Sequence, residues 1–446
     1  MERSVTHQIN NAIKGMLEKA KNSMTKLPKM YRLRQHFARP TEDDVPAAVR
    51  RELAALNLNK TVSPGQKIGI TVGSRGIRNL VPVLKICVDH VRELGAEPVL
   101  VSAMGSHGGG TEQGQREILD SLDITEKNLG APVVTCAKSP VVAKTAGGLP
   151  VYCLESALAL DGILAVNRIK IHTAFKGAVE SGLVKMLVVG LGGPAGAKQF
   201  HGFGPLELPR LLPEIGQVLL DALPVLGGLA IVENAHEETA LIRAVTKDRM
   251  IEQESELLTY SRSLMPSLPV DAIDFLIIRE MGKNFSGTGM DSNIIGRSRI
   301  PGVPEPEKPA IKRIAVLDLS EKSHGNANGI GMADFTTRKL VEKMDRQATY
   351  LNCLTTTFVG RGAIPLYFDT EEQLVDAALS TLSDIPTDKL RMVIVPNTLH
   401  LHECLVSEAI AAEARGKPGR EVEDGALEIG FENGQHLLLP VQHQVG

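Results

Sequence analysis

Residues 163–201, ILAVNRIKIHTAFKGAVESGLVKMLVVGLGGPAGAKQFH, gather side chains that could do chemistry. His172 stands where the apolar, β-branched run Ile163 to Ile171 should end as a buried strand. Lys176, Glu180 and Lys185 follow on a segment broken by Gly177 and Gly182. Met186 to Val189 then lead into Gly190, Gly192, Gly193 and Gly196, and Lys198 and His201 close the span. Imidazoles, amines and a glycine-rich turn in so short a stretch suit an anionic ligand, with or without a metal. Each part also has a bland reading. A histidine after a strand is most often a loop residue. GLGGPAG misses the G-x-G-x-x-G pattern, because Gly196 falls one place late.

The case strengthens through the elements that must hold these residues. From Lys67 onward strand and helix alternate: KIGITV, then LVPVLKICVDHVREL, then EPVLVSAM, then TEQGQREILDSL with Thr111 as N-cap. APVVTCA and GLPVYCL read as strands, the second as an antiparallel insertion, before ILAVNRIKI. Such alternation predicts a mostly parallel sheet with right-handed crossovers, whose ligands bind beyond the carboxyl ends of the strands. Arg75 follows the first strand, His107 the second and His172 a later one, so all three are expected off one edge. Glycines accompany each, including Gly108 and Gly109 beside His107, and let backbone approach a ligand. His236, beside Glu237 and Glu238, reads as solvated surface.

A second alternating region holds AIDFLIIREMG, IKRIAVLDLS and LRMVIVPNTL as strands, with the polar loops GKNFSGTGMDSN and SHGNANGIGMAD between them. The expected fold class is α/β, with two domains, each a mostly parallel sheet flanked by helices, and an active-site cleft between them. The expected division is a helical extension over 1–60, a first α/β domain over 61–265, a second over 272–400, and a helix and tail over 401–446 packing back on the first. SLMPSLPVDA reads as the linker.

Composition excludes several classes. The 446 residues have no Trp and only 3% aromatics, which disfavours stacking surfaces for sugars or single-stranded nucleic acid. A net charge of −3 without a basic stripe argues against nucleic acid as partner. Cys87, Cys136, Cys153, Cys353 and Cys404 are scattered, form no C-x-x-C and suit a reduced, cytoplasmic protein. The first 24 residues lack the apolar core of a signal peptide and read as an amphipathic helix, and no uninterrupted apolar run is long enough for a membrane span.

With these motifs in order, the chain resembles the nickel-dependent lactate racemase family. TVGSRGI places Arg75 where family members carry the arginine of a T-R-P-like turn, and SAMGSH places His107 in an A-T-G-x-H-like turn. IHTAFKGAVESGLVK matches P-H-x-x-x-G-F-S-G-G-x-K at His172 and Lys185, and His201 fits the histidine that follows. In the second domain GMDSNIIGRSR aligns with P-L-D-x-N-x-Y-Q-x-x-K at Asp291 and Asn293. The likeness spans about Ile68 to Asp334. Departures are specific. The His172–Lys185 span is longer than in lactate racemase itself, Gly73 stands near where an acid is expected, Gly296 replaces the glutamine, and Arg299 replaces the lysine with Arg297 nearby.

The resemblance implies an isomerase that racemises or epimerises a 2-hydroxy acid other than lactate through a 2-keto acid. It implies a nickel-pincer nucleotide, a nickel-bearing pyridinium-3,5-bisthiocarboxylic acid mononucleotide that a purified sample need not carry. By resemblance His201 is the nickel ligand, His107 and His172 exchange the hydroxyl proton, and Lys185 matches the lysine that joins the cofactor. Arg75 with the Gly108–Gly109 turn would receive the phosphate, and Asn293, Arg297 and Arg299 the substrate carboxylate. Two readings compete: a non-catalytic protein that binds or stores the cofactor, and a zinc hydrolase built on His107, His172 and His201, which lacks H-E-x-x-H.

Overall fold

The computed structural model describes residues 27–432 and 436–438. Two α/β units emerge. One is Phe37–Met265 with Leu354–Thr357; the other takes, of the described residues, those up to His36, Pro266–Cys353 and those from Phe358 onward. The break at Met265 falls inside the Pro- and Ser-bearing stretch read as a linker. The first strand, β1 (Met30–Gln35), belongs to the second unit.

In the first unit β2 (Lys67–Val72), β3 (Glu97–Ser102), β4 (Val133–Val134), β7 (Gly162–Arg168), β8 (Val225–Glu233) and β9 (Thr239–Thr246) form one sheet in the order β4-β3-β2-β7-β8-β9. All neighbours run parallel except β9. Between β4 and β7 the chain makes a separate antiparallel hairpin, β5 (Val141–Lys144) and β6 (Pro150–Tyr152), which is the expected insertion. The period of two along β7 feeds two cores. Leu164 and Val166 pack with helices Val45–Ala55 and Leu80–Glu93, while Ile163 and Ala165 pack with Leu208–Ala222 and Met250–Ser263. A sheet covered on both faces explains why its strands read as continuous apolar runs.

The second unit holds β10 (Ala272–Met281), β11 (Ala310–Leu319), β12 (Phe335–Thr337), β13 (Leu366–Phe368), β14 (Met392–Val395), β15 (Glu403–Ser407) and β16 (Arg420–Val422). Their order is β13-β12-β11-β10-β14-β15-β1-β16. The five from β13 to β14 are parallel; β15, β1 and β16 extend the sheet antiparallel.

Three expectations are corrected. Residues 30–35 are not part of a helical extension: MYRLRQ buries Met30 and Leu33 and pairs with β15 and β16 on either side. The strand is six residues long, too short for a hydrophobic period to declare itself against the charged neighbours. LHECLVSEAIAAEA is not one helix either, since β15 comes first and a helix occupies only Glu408–Ala414. Residues 401–432 belong to the second unit rather than to the first. The amphipathic segment over residues 1–24 and the last eight residues lie outside the described residues.

Among the described residues no helix is long and apolar enough to cross a membrane. All five cysteines are buried and unpaired with one another.

Candidate active site

β3, β2 and β7 are adjacent and parallel, so the loops after Ser102, Val72 and Arg168 leave one edge of the sheet. The structure therefore brings His107, Arg75 and His172 to that edge. The loop after Ser102 is tight. Gly105, Gly108, Gly109 and Gly110 all take left-handed φ. At Gly108 glycine is required twice, because a Cβ would also lie 2.4 Å from the carbonyl carbon of Gly114. Helix Glu112–Ser121 starts there with Thr111 capping Gly114.

The two histidines are held by different atoms. His107 Nδ1 lies 2.8 Å from the Met104 carbonyl, an acceptor only, so Nδ1 carries the hydrogen and Nε2 the lone pair. His172 Nδ1 instead accepts from the Ala174 N–H at 3.1 Å, which puts its hydrogen on Nε2 in the neutral ring. The His172 ring stacks on Phe175 at 4.3 Å between centroids, and Phe175 leads through Phe200 to the ring of His201.

Lys185 and His201 sit on one interrupted helical run. Leu183–Lys185 opens it, Met186–Leu191 is a π turn, and Gly193–Gly202 completes it. A straight helix would set the two positions roughly 24 Å apart. Gly193, at φ +61°, breaks the run instead. His201 then comes close enough for the Lys185 charge to act on it. The glycine-rich turn is thus a hinge in a helical run. Its glycines also allow close packing: a Cβ on Gly190 would stand 2.6 Å from the Ala103 carbonyl oxygen.

Electrostatics set the protonation states. Burial, then the neighbouring Lys185 and His107, lower the His201 imidazole to about 4, so the ring is neutral. Burial and then Arg75 lower the Lys185 amine to about 8, against the pull of Glu180. Arg75 keeps solvent access. Crowding by protein, then the Arg168 charge, lowers its pKa all the same. Arg168 pairs with Glu233, whose other oxygen accepts the Arg78 N–H at 2.7 Å.

Glu180 is fully buried and ties the site together. It accepts the His172 N–H at 2.5 Å, the Gly177 N–H at 3.3 Å and Arg262 at 3.2 Å. Arg262 comes from helix Met250–Ser263, which also binds the Ile169 carbonyl through Ser261 at 2.9 Å. Sequence reading singled out Glu180 without giving it this part, and passed over Arg168, Glu233 and Arg262. A carboxylate between two glycines in an otherwise apolar stretch was the available signal.

The second-unit candidates are engaged within their own unit. Arg297 donates to Asp334 at 2.7 Å and to the carbonyls of Met332 and Ile311 at 3.1 and 3.0 Å. Arg299 reaches the other Asp334 oxygen at 2.9 Å while half-exposed. Asn293 donates to Asp291 at 2.9 Å in the turn that starts helix Ser292–Ile295. Arg297 and Asn293 therefore brace the unit, and of the three Arg299 keeps the most access. Sequence spacing could not foresee Asp334, which gathers both arginines. His236 sits in a turn whose N–H groups are held by Asn234.

Among the described residues no three His, Cys, Asp or Glu side chains are grouped to hold a metal. The three-histidine zinc site requires such a group. A cofactor that brings its own ligands needs only one donor from the protein, and a neutral imidazole such as His201 is the form that binds metal.

No family model matches the chain, and no curated protein matches it in sequence. A solved structure, the lactate racemase apoprotein from Thermoanaerobacterium thermosaccharolyticum, superposes with a TM-score of 0.42 at 10% identity, covering 74% of this chain and 94% of that one. Likeness at this level assigns neither family nor residue roles.

Proposed function

We propose that the chain is a racemase or epimerase of a 2-hydroxy acid that works with a nickel-pincer nucleotide. One observation carries the reading: His107, Arg75 and His172 leave one sheet edge, and the broken helical run brings His201, held neutral, near His107 and Lys185. His201 would hold the metal, Lys185 would stand at the pyridinium's attachment point, and Arg75 would face the phosphate. When bound, the cofactor supplies the acceptor and donor for the hydrogen at C2, so the acid passes through its 2-keto form.

The chain's own residues handle the proton. His107 Nε2, with its lone pair, takes the hydroxyl proton as C2 loses its hydrogen. His172 Nε2–H is a donor to the same oxygen from its own side. Return of hydrogen to the opposite face of C2 gives the other enantiomer; the oxygen takes its proton from His172 in its imidazolium form, and His107 returns the proton it took to solvent. The tautomer pair thus rests as one acceptor and one donor, a preset for one direction of travel. Arg299 is the proposed anchor for the substrate carboxylate, since guanidinium matches carboxylate geometry.

The test is co-production with cofactor-making enzymes, then a screen of single-enantiomer 2-hydroxy acids for inversion at C2 by chiral chromatography. His107→Ala and His172→Ala should each lower inversion by about 10²–10⁴-fold. Arg299→Ala should raise KM. Tight cofactor binding with no inversion of any acid would favour the storage protein.

A further inference from the structure

Helix Met250–Ser263 carries a carboxylate that the reaction above does not use. Glu254 is fully buried. One oxygen, Oε2, accepts the Val184 N–H at 2.7 Å, and the neighbouring Leu183 N–H adds electrostatic support to the charged form. The other oxygen, Oε1, has no hydrogen-bond partner. It lies against Gly182, where an added Cβ would come within 2.3 Å of it. Burial pushes the carboxyl up to about 7 despite the two N–H groups.

A buried carboxyl with one unmet oxygen destabilises the fold, and an apolar side chain of similar volume would not. It does one thing that an apolar side chain cannot. Leu183 and Val184 begin the short helix that ends on Lys185, and Gly182 before them offers no side-chain cap. Their N–H groups are the orphan donors of a helix start. Directly after Lys185 the run widens into the π turn Met186–Leu191, where the ladder shifts by one residue. Lys185 therefore stands at the junction of two helical registers, and a junction is only as fixed as the turn before it. Asn167 holds the opposite side of that turn, donating to the Gly182 carbonyl at 2.9 Å.

We propose that Glu254 is a positioning residue for Lys185: by accepting the Val184 N–H it fixes the junction from which the Lys185 amine enters the site. The inference rests on Lys185 belonging to the site described above, and on no step of the racemisation.

The experiment uses the full chain without cofactor. Lysines are acylated with acetic anhydride across a pH series, and the Lys185 peptide is quantified by mass spectrometry. Exposed Lys138 serves as internal reference. In the parent, Lys185 should label with a midpoint well below that of Lys138. Glu254→Gln keeps an oxygen for the Val184 N–H and should hold that midpoint. Glu254→Leu should raise it by a unit or more, leaving about tenfold less neutral amine at a given pH. Gly182→Ala leaves Glu254 in place but drives a methyl into its oxygen, and should act in the same direction. It carries the test if Glu254→Leu fails to fold. The proposal is overturned if folded Glu254→Leu or Gly182→Ala keeps the parent midpoint, or if Glu254→Gln behaves as Glu254→Leu. A parent midpoint equal to that of Lys138 overturns the placement of Lys185 itself. Absence of racemase activity leaves every one of these readings intact.

Discussion

His107 and His172 have the same side chain and opposite hydrogens, because one Nδ1 faces a carbonyl and the other an N–H. Nitrogen-15 NMR of the imidazoles should show His107 protonated at Nδ1 and His172 at Nε2 near neutral pH. The same tautomer in both rings would remove the preset direction. His201 supplies a second residue-scale expectation. Its folded value of about 4 lies below the ordinary 6.5, so the unfolded chain binds more protons between them. Stability should fall as pH drops from about 6.5 through about 4. The loss amounts to about 2 kcal/mol once partial solvent access is allowed for. His201→Gln should flatten that acid limb in urea melts, and an unchanged limb would count against the buried, neutral ring. That Arg75, His107 and His172 leave one sheet edge was legible in sequence. Their hydrogens were not, since those depend on which backbone group a loop turns toward each ring.

At the scale of elements, the broken helical run is the feature that sequence misreads. GLGGPAG advertises a loop, and its residues instead end a π turn and begin a new helix. Gly193 takes φ +61°, and a Cβ there would lie 2.6 Å from Leu154 Cδ2. Gly193→Ala should therefore cost about 2–4 kcal/mol, from left-handed strain and overpacking together. Thermal melts of the full chain would measure it, and a change under 1 kcal/mol would mean that the hinge tolerates a side chain. Helix Met250–Ser263 was legible as an element but not as a support. Glu254 falls on its buried stripe with Met250, Leu257, Leu258 and Ser261. A carboxylate on an apolar stripe is a readable sign, but its partner at Val184 is distant in sequence.

Across the whole molecule, alternation of strand and helix was enough to predict α/β architecture with mostly parallel sheets. The edge strands were harder. β1 and β16 are short, and their partners lie at the other end of the chain, as in the pairing of Met30 with Ser407. The unit Phe37–Met265 is nearly continuous, covers its sheet on both faces and holds Arg75, His107, His172, Lys185 and His201. Residues 37–265 produced alone should fold cooperatively. Circular dichroism and a dispersed amide NMR spectrum would show it. A collapsed spectrum without dispersion would mean that the four residues Leu354–Thr357, or more, are needed to complete it.

β1 lies between β15 and β16, strands made more than 360 residues later. During synthesis the first strand therefore leaves the ribosome long before its neighbours exist. The segment from Phe37 to Met265 has all six strands of its sheet once Thr246 has emerged, so it can close while β1 still waits. Translation order thus makes the site-bearing unit the early product, and the other unit the last to be sealed, by its own beginning and end. A ribosome stalled before Glu403 would display an open strand at Met30–Gln35, a ready target for a chaperone or a protease.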